Sequence, residues 1–345
     1  MTDSYDYDVA IIGGGSGGYA AARSTAAAGL KTVVIEGGEQ VGGLCILRGC
    51  MPTKALLYTS EVLHLSRHSE TWGIHNKQTT FDYEQVMARK DRLIKEFADY
   101  RVQQLNDGRF QFIRSMARFK NAHTLLLDQG RELTASHIII STGSTISPPP
   151  LPRLRETEYL TSDEALVLRK LPKSMIVLGG GAVAVEFAQY FARFGVKVTL
   201  IQRGAHILRD FDRDEALELE KVFRREGMQL FSATRLTDAW KEGPLKGVAF
   251  EHDGAEVRIE AEEILYALGR IPNTEPLDPF HAGVETAQHT IISDSQMRTN
   301  VPHIYAVGDC TGPYEIVHIA IQQGEIAAHN IAHPEAPKHI DYRLL

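Results

Sequence analysis

The sequence predicts an α/β protein made of two three-layer, doubly wound units, the second inserted into the first. Two observations carry this. Residues 7–36 and 174–203 repeat one pattern: a short apolar strand, a glycine-rich turn, a helix of small residues and a second apolar strand. Between them, STGSTISPPPLP at 141–152 is rich in proline and turn residues and marks a crossing between units. A chain of 345 residues is long enough for two domains with separate cores.

The first copy reads YDVAIIGGGSGGYAAARSTAAAGLKTVVIE. Val9–Ile12 has the continuous apolar character of a buried parallel strand. Gly13, Gly15 and Gly18 follow in G-x-G-x-x-G spacing, and Glu36 ends the second strand. Alone, the glycines are weak evidence. Between strand and helix, with an acid at the end of the next strand, they predict a Rossmann-like dinucleotide site. Glycine at these positions permits the turn, the approach of backbone to a pyrophosphate and close helix packing. The helix N-terminus offers its N–H groups to phosphate, and Glu36 accepts from a ribose.

The second copy reads SMIVLGGGAVAVEFAQYFARFGVKVTLIQR, with Gly179, Gly181 and Ala184 at the motif positions. Two such units imply two dinucleotides, most simply FAD and a nicotinamide nucleotide. The second copy ends in Gln202, with Arg203 and Arg209 following, where the first ends in an acid. Arginine attracts a 2′-phosphate that a carboxylate would repel, so NADP is favoured over NAD. Three further stretches fit this layout: a meander of short strands across 110–140, an apolar strand in LYALGRIPN (265–273), and HIYAVGDC (303–310), which delivers Gly308 and Asp309 to a loop. The domains expected are 1–147 plus 275–333 for FAD and 148–274 for NAD(P), with 334–345 as a linker.

The net charge of −7 and the scattered basic residues argue against a nucleic-acid partner. No run of about 18 apolar residues is present, so no membrane span is expected. The N-terminus has no signal-peptide pattern. Three cysteines in the chain suit a reducing compartment, and a cytoplasmic protein is expected.

Two of those cysteines lie five positions apart in CILRGCMPTK, residues 45–54. The pair admits three readings: a structural staple, half a metal site or a redox couple. So short a loop gains little from closure. A zinc site needs about four ligands, and no second cysteine pair accompanies this one, so no metal is expected. Pro52 suits the first turn of a helix, which would set Cys50 near a helix N-terminus with Lys54 close by. Both features favour a thiolate. Cys310 reads as a small buried residue.

These motifs together resemble the class I pyridine nucleotide–disulfide oxidoreductases, which include dihydrolipoamide dehydrogenase, glutathione reductase and mercuric reductase. The match comprises Gly13-x-Gly15-x-x-Gly18 with Glu36, the block Gly42-Gly43-x-Cys45 through Cys50 and Pro52 to Lys54, and Ser141-Thr142-Gly143. It continues with Gly179-x-Gly181-x-x-Ala184 and Glu186, Gly269-Arg270-x-Pro272-Asn273, and Tyr305-Ala306-x-Gly308-Asp309. The resemblance implies that Cys45 is the interchange thiol and that Cys50 is the charge-transfer thiolate against the flavin. Lys54 would lie near flavin N5, paired with Glu186. Gly42, Gly43, Thr142, Gly143, Asp309 and His318 would line the FAD site, and Gly269 the nicotinamide nucleotide site. It implies a dihydrolipoamide dehydrogenase-like enzyme acting on a small or lipoyl-type disulfide or dithiol, with mercuric reductase-like and glutathione reductase-like enzymes as alternatives.

The departures limit what carries over. Leu44, Leu47 and Arg48 stand where the family usually has other residues, and Ala182 replaces a tyrosine that covers the nicotinamide pocket in glutathione reductase. Family members continue into an interface domain that makes the dimer and supplies a His–Glu pair. A longer protein carrying that domain is expected to be a homodimer, and a monomer is open to this chain alone. A low-molecular-weight thioredoxin reductase is rejected, because its C-x-x-C lies in the nicotinamide domain. A flavin-binding redox sensor without disulfide turnover is the alternative of another class.

Overall fold

The computed structural model describes residues 4–344. The chain divides into two compact units: residues up to Leu47, Ile94–Thr145 and Arg270 onward form one, and Arg48–Leu93 with Ile146–Gly269 form the other.

The first unit is built on a seven-stranded sheet. Gln111–Arg114, Thr32–Glu36, Tyr7–Ile12 and Glu132–Ile140 run parallel in that order, and Ile304–Ala306 joins the far side of Glu132–Ile140. Registers bring Ile12 level with Ile35 and Ile140, and Ala306 level with Ile140. Four strands therefore end on one edge, and the loops beginning at Gly13, Gly37, Ser141 and Val307 leave from it. That carboxyl edge is where parallel α/β sheets place ligands. The expected meander forms, but only from Ala117–Asn121, Thr124–Leu127 and the start of Glu132–Ile140. Gln111–Arg114 instead extends the parallel part.

Side chains alternate across this sheet as strand geometry requires. Val9, Ile11, Val34 and Ile139 face a layer containing Ala21, Ala22, Ile319, Ile326 and Ala327. Ala10, Ile12, Val33, Ile35, Ile138 and Ile140 face the opposite layer with Phe119, Leu125, Leu277 and Ile291. The Ser16–Ala27 and Val317–Ala332 helices meet backbone to backbone: a Cβ on Gly324 would lie 2.3 Å from the Gly17 carbonyl oxygen.

The second unit repeats the plan with Gln229–Phe231, Lys197–Ile201, Ser174–Leu178 and Glu263–Tyr266 in parallel. A three-stranded antiparallel sheet of Arg235–Glu242, Leu245–His252 and Ala255–Ala261 covers one face. The other face carries the Ala182–Arg193 helix. Residues 48–93 group with this unit, where the sequence-based division put them in the first. The Cys50–Arg67 helix buries Leu56 and Leu63 in one core with Phe187, Tyr190, Phe191 and Phe194.

Candidate functional site

The two glycine turns are built alike. Gly13 has φ +108° and Gly179 has φ +122°. A Cβ on Gly13 would stand 2.2 Å from the Ser141 carbonyl oxygen, and one on Gly179 2.2 Å from that of Ala267. The amide of Gly13 donates to Ile35 O and that of Gly179 to Ile201 O. No side chain could be held there. Gly15 and Gly181 each cap the following helix without a side-chain hydrogen bond. Their first-turn N–H groups thus face a space suited to phosphate.

In the first unit, both oxygens of Glu36 are engaged: Gly14 N donates to one at 2.8 Å and Gly38 N to the other at 2.7 Å. The carboxylate is therefore fixed at the end of its strand beside the turn. The short Gly43–Leu47 helix lies on the same turn: a Cβ on Gly43 would be 2.5 Å from Gly15 Cα. Gly42 precedes it with φ +145°, and Cys45, half-buried, stands in its middle. The Cys45 helix is thus seated on the first nucleotide turn.

Thr142 Oγ1 is buried, with the Cys310 thiol beside it. Gly143 has φ +69°, and its carbonyl accepts from Asn273 N. Asp309 sits in the turn after Ile304–Ala306 and accepts from Ser144 Oγ at 2.7 Å. Ser144 in turn accepts from Arg270 Nε at 2.8 Å, and its carbonyl from Arg270 Nη2. Gly308 N donates to the buried Gln323 at 2.6 Å. His318 is exposed in the first turn of its helix. Ser144 and Gln323 were not anticipated. They come from elements far apart in sequence, and no spacing announces them. These residues fit FAD: a helix start with no side-chain cap for the pyrophosphate, and a fixed acid at a strand end.

In the second unit, Gln202 takes the place of Glu36. It is 8% exposed, and a Cβ on Gly180 would be 2.8 Å from its amide carbon. Ala184 is buried in the helix, where the motif allows it. Arg203 and Arg209 are exposed, and Arg209 pairs with Asp210 at 3.3 Å. Leu208 N donates to Gly180 O at 2.6 Å, which folds the arginine-bearing loop back to the turn. Gly269, with φ +112°, closes the unit and accepts from Ser147.

Cys50 opens its 18-residue helix, and Gly49 caps it with no side-chain bond. Lys54, one turn on, forms an ion pair with Glu186 of the Ala182–Arg193 helix. Cys310 is fully buried, and its thiol donates to Val307 O. Burial pushes that thiol up to about 12, so it stays protonated. Among the described residues no group of three His, Cys, Asp or Glu is placed to hold a metal ion. None of their helices is long and apolar enough to cross a membrane.

Fold and site together define a protein with paired dinucleotide turns and a cysteine beside the first. The chain belongs to the pyridine nucleotide-disulphide oxidoreductase family, whose model matches residues 7–324. It is 33% identical to a mercuric reductase of Bacillus cereus over 329 residues, 95% of this chain and 52% of that one. It is 32% identical to a dihydrolipoyl dehydrogenase of Acholeplasma laidlawii over 333 residues, 95% of this chain and 97% of that one. Among solved structures it resembles the HOCl-induced flavoprotein disulfide reductase RclA of Escherichia coli. The TM-score is 0.85 at 27% identity, covering 96% of this chain and 72% of that one.

Proposed function

We propose that the protein passes electrons between NADPH and a Cys45–Cys50 disulfide, with FAD as carrier, and that it acts on a small disulfide or dithiol in the manner of dihydrolipoamide dehydrogenase. The observation that carries this reading is the seat of the Cys45 helix on Gly15, whose turn would face the FAD pyrophosphate. The family's disulphide oxidoreductase name and the likeness to a flavoprotein disulfide reductase support it, and the lipoyl substrate follows the name of the dihydrolipoyl dehydrogenase relative.

Bound FAD supplies two-electron transfer between a nicotinamide and a disulfide. The chain's own residues do the rest. The first turn of the Cys50–Arg67 helix and the nearby Lys54 favour Cys50 as thiolate. Glu186 holds the Lys54 ammonium in place. In the reduced pair, the Cys45 thiolate attacks one sulfur of a substrate disulfide and releases the other half as thiolate. Cys50 then attacks Cys45 Sγ, releases the second half and restores the Cys45–Cys50 bond. Two electrons reach the substrate, and its two thiolates take up two protons. Arg203 and Arg209, on the loop tied to Gly180, select the 2′-phosphate of NADPH.

The test is an anaerobic titration of the flavin-loaded protein with NADPH and with NADH, followed by assay with lipoamide. The expected result is a long-wavelength absorbance band after two electrons, absent in Cys50→Ser, and reduction of lipoamide to its dithiol. Simple bleaching of the flavin without that band, and no turnover, overturns the reading.

A further inference from the structure

The Cys45 helix has a cationic neighbour that neither the motifs nor the reaction scheme uses. Arg101 lies on the long Tyr83–Leu105 helix. Its guanidinium stacks on the Tyr19 ring, 4.2 Å from the ring centre. Tyr19 is the residue whose amide makes the first helical bond to Gly15 O, at 2.8 Å. Gly15 is also the seat of Gly43, two residues before Cys45. The helices that carry Tyr19 and Cys45 thus meet at one glycine, and Arg101 lies on the ring of the first. Arg101 Nε donates to Gln104. Its Nη1 is buried and has no hydrogen-bond partner among the described residues. A buried guanidinium N–H without an acceptor is costly, and an anion is the partner that suits it.

We propose that Arg101 is a positioning residue for Cys45: fixed on Tyr19, it holds the Cys45 sulfur as a thiolate once the cysteine pair is reduced. This rests on the reading of Cys45 as the sulfur that meets substrate. The electrostatics agree with the geometry. Burial depresses the proton affinity of Arg101, and the Tyr19 and Cys45 side chains lie close enough to restore part of it. Arg23 opposes, and Tyr100 adds weakly to the restoring side. Arg23 is itself neutralised by Glu325. Arg109 Nη2 donates to the Tyr19 phenol at 3.0 Å and pairs with Asp107, so it is already committed.

The experiment measures the Cys45 thiol directly. The flavin-loaded protein is reduced with a phosphine, desalted anaerobically and alkylated with iodoacetamide across about pH 5 to 10, and the Cys45 peptide is quantified by mass spectrometry. Wild type should show a Cys45 midpoint below the ordinary thiol value of about 8.5. Arg101→Met keeps the stem and removes the charge. It should raise the midpoint by about one unit, so alkylation near neutral pH falls about tenfold. Arg101→Lys should bring it back down. If Arg101→Met fails to hold flavin, Arg101→Gln makes the same comparison. A wild-type midpoint at or above about 8.5 overturns the proposal. So does an unchanged midpoint in a neutral variant that retains flavin. No nicotinamide is used, so the readout is separate from the proposed function. Failure of NADPH to reduce the pair sinks that function, whereas an unmoved midpoint with reduction intact sinks only the role of Arg101.

Discussion

Ser144 holds Asp309. Its hydroxyl donates to the carboxylate at 2.7 Å and accepts from Arg270 Nε at 2.8 Å, so a three-residue relay joins the loop after Ile140 to the loop after Ala306. A hydrogen bond to a charged group contributes about 1.5–3 kcal/mol when it is needed to hold that group. Ser144→Ala should weaken FAD retention by about tenfold or more. The check is the dissociation constant from flavin fluorescence after removal and readdition. Unchanged affinity would show that Asp309 needs no such support.

Lys54 and Glu186 give a contrasting case. The Lys54 side chain is 61% exposed, so the ion pair adds little to stability, about 0–1 kcal/mol. Lys54→Met should leave the melting temperature nearly unchanged yet slow reduction of the protein by NADPH. A large fall in melting temperature with a normal reduction rate would reverse this reading and make the pair structural.

For the nicotinamide nucleotide, Arg203→Ala should raise the KM for NADPH by about tenfold or more, from loss of charge-assisted bonds of about 1.5–3 kcal/mol. Its KM for NADH should hardly move. Gln202→Glu should favour NADH, because the new carboxylate would take the place that Glu36 takes in the first unit. Equal effects of Arg203→Ala on both nucleotides would remove the arginine from 2′-phosphate recognition.

Gly324→Ala tests the helix contact by its sign. In an exposed helix interior, Gly to Ala stabilises by about 1 kcal/mol. Here the new methyl would lie 2.3 Å from Gly17 O, on rigid backbone, and overpacking costs about 1–3 kcal/mol. A lower denaturant midpoint is expected. A higher one would show that the two helices separate at little cost.

The first unit should also lose stability in mild acid. His137 and His303 are held below the usual histidine range, chiefly by burial, with His123 adding repulsion to both. His123 and His303 stack with ring centres 3.7 Å apart. When the folded pKa is depressed, the unfolded chain binds more protons. The stabilisation is therefore complete above about pH 6.5 and is lost as pH falls from there toward the folded values. Carboxylates such as Asp6, also held low, act only in a more acidic window. The melting temperature should drop between about pH 7 and about pH 5.5, and His137→Gln should flatten that slope. A flat profile in wild type would contradict it.

What could be read from the sequence was local. The glycine turns, the Cys45–Lys54 block and the change from Glu36 to Gln202 are each compact patterns whose chemistry depends on near neighbours. The residues that complete the site are not local. Ser144 meets Asp309 and Arg101 meets Tyr19 across long stretches of chain, and Gln323 meets Gly308 only once its helix packs back on the preceding turn. The placement of 48–93 was hidden for a related reason. An amphipathic helix shows that Leu56 and Leu63 must be covered, but not whether the Phe187–Phe194 cluster or the other sheet will cover them.

The late arrival of Ile304–Ala306 has a consequence for the chain as it is made. The strand Glu132–Ile140 is translated long before its parallel neighbour, and the Gly17 face of the first helix waits for Gly324. At ordinary elongation rates of about 5–20 residues per second, roughly 10–30 s pass between Ile140 and Ile304. Throughout that interval the nascent polypeptide presents an unpaired apolar strand edge next to an uncovered helix surface, which is the form most open to association with other chains. The insertion of one unit within another thus gives the emerging protein a period in which a holdase at the ribosome would decide its yield.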